Sequence, residues 1–364
     1  AMTDALERAT ALRELLSAPS LRALKPSLAE SVIACCEDLC MAGEAPVALE
    51  LLDGLATRME DVDADTSIRV TLARGRALYK GGHYGRSLEL VRALIADEPE
   101  LLKHRGDESS ALRILEASNL RHLGRADEAI DRLLAIRTEL LLRPDSHSLA
   151  LCVMQLQSAY MVQGNLALAR RFGLEALVSS RRAGSRYVEA CALENLNRLD
   201  RYQCRWASAL ETGESALAGF QEAGNRYDAN NCRRSLAIVH WKRGHLDDAT
   251  RVTQECHGEA KQVGHSSLEH VAALLSAMIH LHKGEFESAA RILRMATEHE
   301  LEGVDSRVLL LGLEFMGDSC LEQGKAERAL EYFDEVWPQA LALVPKGDIV
   351  AELRRRRAEC YYLL

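Results

Sequence analysis

Aromatic side chains make up only 5% of these 364 residues, and proline occurs seven times. So few rings argue against a large aromatic-lined cavity. Strand-like alternation of apolar and polar residues is missing, so the chain reads as all-α. No run approaches the ~18 apolar residues of a membrane span, and no signal-peptide pattern opens the chain, so no membrane partner is expected. Positive charge is not in excess either. The formal net charge is −9, which disfavours nucleic acid as a directly bound partner, because phosphate binding wants a basic face. A glycine-rich phosphate loop, a nucleophile elbow, an HExxH motif and a CxxC pair are all lacking. The expectation is therefore a protein that is not an enzyme and carries no cofactor or metal. The ten cysteines fall singly on helical positions, which suits a reducing cytoplasm better than a disulfide framework. Arginine far outnumbers lysine, a compositional hint of a GC-rich bacterial source.

What the chain has instead is a period. The stretch Arg243-Gly244-His245-Leu246-Asp247-Asp248-Ala249 is a helix stop, a tight turn and a helix restart. The element recurs every 40 residues at Gly284 and Gly324, and backward at Cys204, Gly164 and Gly124, before loosening to Gly82 and Gly43. A fixed period of this length means a repeat array. The turns mark eight helix pairs, with a helix A before each turn and a helix B after it. The B helices are expected to end near Glu60, Pro99, Leu142, Gly184, Gly224, Gly264 and Gly303; Gly184, Gly224 and Gly264 can take the left-handed C-cap, each followed by a polar residue that can cap the next helix. Pro144 is followed by Asp145 and Ser146, which can cap the same way. An amphipathic helix over residues 4–16, with Leu6, Ala9, Leu12, Leu15 and Leu16 on one face, is expected to cap the array ahead of a break bracketed by Pro19 and Pro26.

Five positions after each turn residue stands a small side chain: Ala48, Ser87, Ala129, Ala169, Ala209, Ala249, Ala289 and Ala329. That column reads as the closest approach of helices A and B, so Ala249→Leu should overpack it. Two positions after the turn, Tyr84, Leu166, Trp206, Leu246 and Phe286 form an apolar column expected to fill the seam between repeats. Cys204 replaces the usual glycine, so its turn is expected to be distorted. A ninth turn would fall at residue 364, where Tyr361-Tyr362-Leu363-Leu364 closes a helix A with no helix B. The expectation is a single domain over 1–364, cut from a longer chain whose effector domain lies elsewhere. The open, uniform period argues against an enzyme built as a closed toroid.

The columns resemble those of tetratricopeptide repeat proteins. The matching features are Gly75 and Gly317 in mid-helix A, Gly82-His83-Tyr84 and Gly284-Glu285-Phe286 at the turns, the small column, and Pro99 at a repeat end. The likeness covers roughly residues 27–364. The long period is similar to that of kinesin light chains, G-protein regulator scaffolds and the sensor domains of STAND-class bacterial regulators. Gly184-Ser185-Arg186 with Glu194-Asn195-Leu196, and Gly224-Asn225-Arg226, fit that subclass. The resemblance implies a right-handed α-solenoid whose A helices line a concave groove that holds a peptide or protein segment. A regulatory or sensory segment of a larger bacterial signalling protein or transcriptional regulator is the alternative it implies.

Projected onto this chain, the groove positions include Arg69, Arg76, Tyr79 and Lys80 in the second pair. They continue with Glu194, Asn195, Arg198, Arg201 and Tyr202 in the fifth, then Asn231, Arg234, Trp241 and Lys242 in the sixth. Leu274, Met278 and Leu281 occupy them in the seventh. Asn195 and Asn231 can bond peptide amides, Arg198 and Arg234 can fork onto a carboxylate, and Tyr202 and Trp241 offer apolar area with a polar tip. The competing reading is a solvated surface on which the arginines pair with Glu189, Glu194 and Asp200.

The remaining clusters read as structural. Cys36 with Cys40 lacks further metal ligands and fits core packing, while His240 and His280 recur at the repeat period and read as packing groups. The run Arg354 to Arg357 reads as a solvated helix balanced by Asp348, Glu352 and Glu359. The acids Glu60, Asp61, Asp63 and Asp65 lack the glycine and spacing of a calcium loop.

Overall fold

The protein is described by a computed structural model covering residues 2–17, 26–57, 63–143, 145–262, 266–297, 306–343 and 348–364. The expected features at Pro19, Glu60, Asp61, Pro144, Gly264 and Gly303 lie outside these residues. All regular structure described is helical. A first helix, α1 (Met2–Ser17), precedes the pairs α2 (Pro26–Ala42) with α3 (Ala45–Ala56) and α4 (Ala64–Lys80) with α5 (Tyr84–Asp97). After the short α6 (Pro99–Lys103) come α7 (Gly106–His122) with α8 (Ala126–Leu140), α9 (His147–Gln163) with α10 (Leu166–Arg182), and α11 (Arg186–Tyr202) with α12 (Trp206–Glu222). Then follow α13 (Arg226–Lys242) with α14 (Leu246–Gln262), α15 (Ser266–His282) with α16 (Phe286–Thr297), and α17 (Ser306–Glu322) with α18 (Ala326–Leu343). The last helix is α19 (Asp348–Leu363). The eight pairs fall on the expected turns. Helix α6 is the element the period does not announce. It takes up the two extra residues between Gly82 and Gly124, with Pro99 at its first position, where a missing N–H costs nothing.

The turns share one set of hydrogen bonds. At Gly244 (φ 77°), Gly244 N donates to Trp241 O at 3.0 Å and His245 N to His240 O at 2.9 Å, which closes helix A in a left-handed cap. Cys204 adopts the same conformation at φ 54° and keeps the same bonds, to Arg201 O at 3.1 Å and from Arg205 N to Asp200 O at 2.8 Å. Its turn is not distorted, contrary to expectation. The repeat imposes the geometry, and the thiol residue carries the left-handed strain.

The small column sits at the interhelical contact, with all eight residues fully buried. At mid-helix A, a Cβ on Gly75 would stand 3.1 Å from Leu115 Cδ2 and 3.2 Å from Val91 Cγ2, and one on Gly317 would run into the Phe333 ring. The seam column is only half-buried. In α1 the buried residues are Ala5, Ala9 and Leu16, while Leu15 is half exposed, so the expected face is rotated away from it.

By internal packing the chain divides into two compact units, residues 1–229 and 230–364. In the first, the A helices α2, α4, α7 and α9 each touch the next A helix, whereas no B helix from α3 to α12 touches the next B helix among the described residues. The A helices therefore form the inner, tighter layer of that unit. In the second, α15, α17 and α19 touch in the same A-to-A order.

Candidate functional site

The inner layer of the first unit carries side chains from the last turn of each A helix, because every A helix ends in register at the same turn. On α4 and α7, Tyr79 and Arg121 meet: Arg121 Nη2 donates to Tyr79 Oη at 3.1 Å and lies 2.8 Å from His122 Nε2. His122 stacks on Tyr84 with ring centroids 4.1 Å apart and planes 6° from parallel. Burial first, then the charges of Arg121 and Arg198, push the His122 imidazole down to about 4, so near neutral pH it is uncharged and its Nε2 can accept. Two arginines of the layer are committed to carboxylates one repeat back, Arg69 to Glu30 and Arg76 to Glu37, the latter at 3.3 Å.

On α11 the expected site residues fall into two kinds. Asn195 is buried, and its amide nitrogen donates to Ser158 Oγ at 3.0 Å. Its carbonyl oxygen accepts from Arg198 Nη2 at 2.7 Å, so the asparagine orients the guanidinium. Tyr202 is 61% exposed, and Arg201 beside it is half-buried. Two of the acids that the solvated-surface reading assigns to these arginines are engaged elsewhere: Asp200 with Arg170 and with Ser208 Oγ at 2.7 Å, and Glu189 with Arg181 at 2.7 Å.

One arrangement in the first unit has no trace in the repeat pattern. Lys80, at the end of α4, donates from Nζ to Tyr187 Oη at 3.1 Å and lies 3.5 Å from Asp228 Oδ2. The Tyr187 hydroxyl donates to the same Asp228 oxygen at 3.1 Å, and Asn225 Nδ2 donates to it at 2.8 Å. These partners stand 107 and 148 residues from Lys80. The contact is continued by the first turn, where a Cβ on Gly43 would meet Tyr227 Cδ2 at 3.0 Å. The first unit thus closes on itself, although its period is open and uniform. Burial pulls the Lys80 ammonium down, but Asp228, then Cys191, Tyr79 and Tyr227, outweigh it and hold it above its ordinary value. Burial pushes the Tyr187 hydroxyl well up and the Cys191 thiol up to about 12, so both stay protonated.

In the second unit, Asn231 and Arg234 are half-buried on α13. Trp241 donates from Nε1 to His282 Nδ1 at 3.0 Å, and Lys242 Nζ stands 3.9 Å from the Trp241 ring centroid, a cation–π contact. Leu274, Met278 and Leu281 do not line an open face: all three are buried in the core around Ala277, Leu293, Phe286 and Phe315. The arginine run is not simply solvated. Arg356 is an internal ion-pair partner of buried Asp318 at 2.9 Å, and Arg357 lies 4.9 Å from the Trp337 ring centroid. Burial, only partly offset by Arg356, raises the Asp318 carboxyl to about 6.

A family model described as tetratricopeptide repeat matches residues 231–255. No curated protein matches the chain in sequence. Among solved structures, the apo form of the quorum sensor NprR from B. thuringiensis is similar at 14% identity, with 92% of this chain and 96% of that one covered and a TM-score of 0.62. A Rap protein complexed with competence and sporulation factor is similar at 13% identity, covering 93% of this chain and 98% of that one with a TM-score of 0.55. A STAND protein with a tetratricopeptide repeat sensor from Pyrococcus horikoshii is similar at 15% identity and a TM-score of 0.56; the match covers 89% of this chain and half of that one. At such identities the likeness is one of fold. By its repeat, its helical architecture and these structural likenesses, the chain has the fold of a tetratricopeptide repeat array, and residues 231–255 match that family's repeat.

Proposed function

We propose that the chain is a non-enzymatic binding module that holds a peptide or protein segment against its A helices. The observation that carries this reading is Arg198 oriented by Asn195 on the inner layer, with Arg201 and the 61% exposed Tyr202 one turn away. A guanidinium held in place loses less freedom on meeting a carboxylate, and an exposed ring beside it offers apolar area. In this reading Asn195 acts through Arg198 rather than touching the partner. On α13, Asn231 and Arg234 with Trp241 and Lys242 offer the same two chemistries. Two proteins of similar fold were solved with peptide or factor bound, the Rap protein with competence and sporulation factor and NprR with its cognate peptide NprX. No described helix is long and apolar enough to cross a membrane, and a cytoplasmic setting is part of the proposal.

Selection from a random displayed-peptide library, followed by fluorescence anisotropy of the selected peptide, tests the reading. Arg198→Ala and Trp241→Ala should each weaken binding about tenfold, equivalent to about 1.4 kcal/mol. Equal affinity for both variants and the parent would remove these residues from the site. A second reading makes the chain the sensory segment of a larger bacterial signalling protein with its effector domain elsewhere; the fold of the STAND sensor protein favours it. A full gene without any effector domain would count against that reading.

A further inference from the structure

The turn at Gly244 brings together two imidazoles and a carboxylate. His240 lies in the last turn of α13, His245 follows the turn glycine, and Asp248 lies in the first turn of α14. Backbone bonds fix their relative positions, from His245 N to His240 O and from Ala249 N to His245 O, both 2.9 Å. Side chains at positions one, six and nine of this stretch also approach one another, in pairs, over two neighbouring turns. In the Cys204 turn the convergence appears as Ser208 Oγ donating to Asp200 at 2.7 Å, and in the Gly284 turn as His280 Nδ1 at 2.5 Å from Glu285. Each of those turns holds one direct pair. Only the Gly244 turn, among these three, puts two imidazoles and a carboxylate at the three positions.

Ligand atoms of His240, His245 and Asp248 all lie within 4.8 Å of one another, with His240 half-buried and the other two exposed. We propose that these three residues bind a divalent first-row transition ion of the zinc class. Two imidazoles with one carboxylate suit Zn²⁺, Co²⁺ or Ni²⁺ better than Ca²⁺ or Mg²⁺, which favour all-oxygen shells. Metal–nitrogen and metal–oxygen bonds of about 2.0–2.2 Å require ligand atoms somewhat closer than the spread seen here. Rotation of the exposed His245 and Asp248 side chains supplies that movement. Arg251 Nη2, 3.4 Å from Asp248 Oδ1, is displaced in the process, and this exposed pair holds the carboxylate weakly. Three protein ligands leave one tetrahedral position open to water. The bound ion staples the end of α13 to the start of α14.

Titration of the full chain with Co²⁺ near neutral pH, followed by displacement with Zn²⁺, tests the site. The expected result is one saturable equivalent with the visible absorption of tetrahedral Co²⁺ and a thermal shift with Zn²⁺. His245→Ala and Asp248→Asn, both at exposed positions, should each weaken binding tenfold or more, while His280→Ala leaves it unchanged. A spectrum unaltered in His245→Ala, equal weakening by His280→Ala, a thiolate-to-cobalt charge-transfer band or no saturable binding would each overturn the proposal.

Discussion

The two units use the same repeat and fill some matching positions on their A helices with opposite chemistry. In residues 1–229 α11 carries half-buried Arg198 and Arg201, at the positions that Met278 and Leu281 take two repeats later, and the unit is drawn closed by the Lys80–Tyr187–Asp228 contact. In residues 230–364 the matching helices bury Leu274, Met278 and Leu281 and add an internal pair of Arg356 with Asp318. The turn, the small column and the 17-residue length of the paired A helices are the same in both. A repeat therefore specifies where a side chain goes, and leaves open whether that place becomes a contact, a core or a binding surface.

The largest expected effect sharpens what the units share. Gly317→Val in the second unit forces a branched side chain into the Phe333 ring and should cost about 3 kcal/mol by overpacking, measured by urea unfolding. A cost near zero would mean that the mid-helix glycine is not a packing requirement. Next comes the closure that distinguishes the first unit. Lys80→Ala leaves Asp228 and Tyr187 half-buried without their cation and should cost about 1–3 kcal/mol. In the Lys80→Met, Asp228→Leu double variant part of that loss should return; additive losses would show that the two residues do not interact.

A smaller effect of opposite sign is expected at the odd turn. Cys204→Gly removes a left-handed strain from a residue with a Cβ and should stabilise the chain by about 1 kcal/mol, read as a raised urea midpoint. Destabilisation would mean that the thiol makes a contact worth more than the strain. The last effect depends on pH. His122 is depressed from 6.5 to about 4 in the folded state, so the unfolded chain takes up a proton first as pH falls. The stability contributed by the neutral imidazole is present above pH 6.5 and is lost as pH falls from there through about 4. His122→Asn should flatten that part of the urea-midpoint profile. An unchanged profile would place the titration elsewhere.

What the sequence made legible follows the range of the interactions. Turn glycines and the small column depend on residues within one helix pair, so a fixed period exposes them, and Cys204 betrays only a local substitution. Asn195 reads as a polar groove residue, yet it is buried, because its partners Ser158 and Arg198 consume its amide. Apolar Leu274, Met278 and Leu281 gave no sign of whether a neighbouring helix would cover them. The Lys80 contact depends on a small rotation accumulated over several repeats, and no spacing in the chain encodes that sum. The convergence of His240, His245 and Asp248 was within reach of the sequence, since it repeats a turn geometry; the recurrence of His240 at His280 drew attention to packing instead.

Hydrogen–deuterium exchange of the full chain with and without the library-selected peptide tests the binding account most directly. Protection on binding should fall on the A helices, with α7, α9 and α11 foremost in the first unit, and leave α8, α10 and α12 as they were. Protection confined to those B helices, with the A helices unchanged, would contradict it.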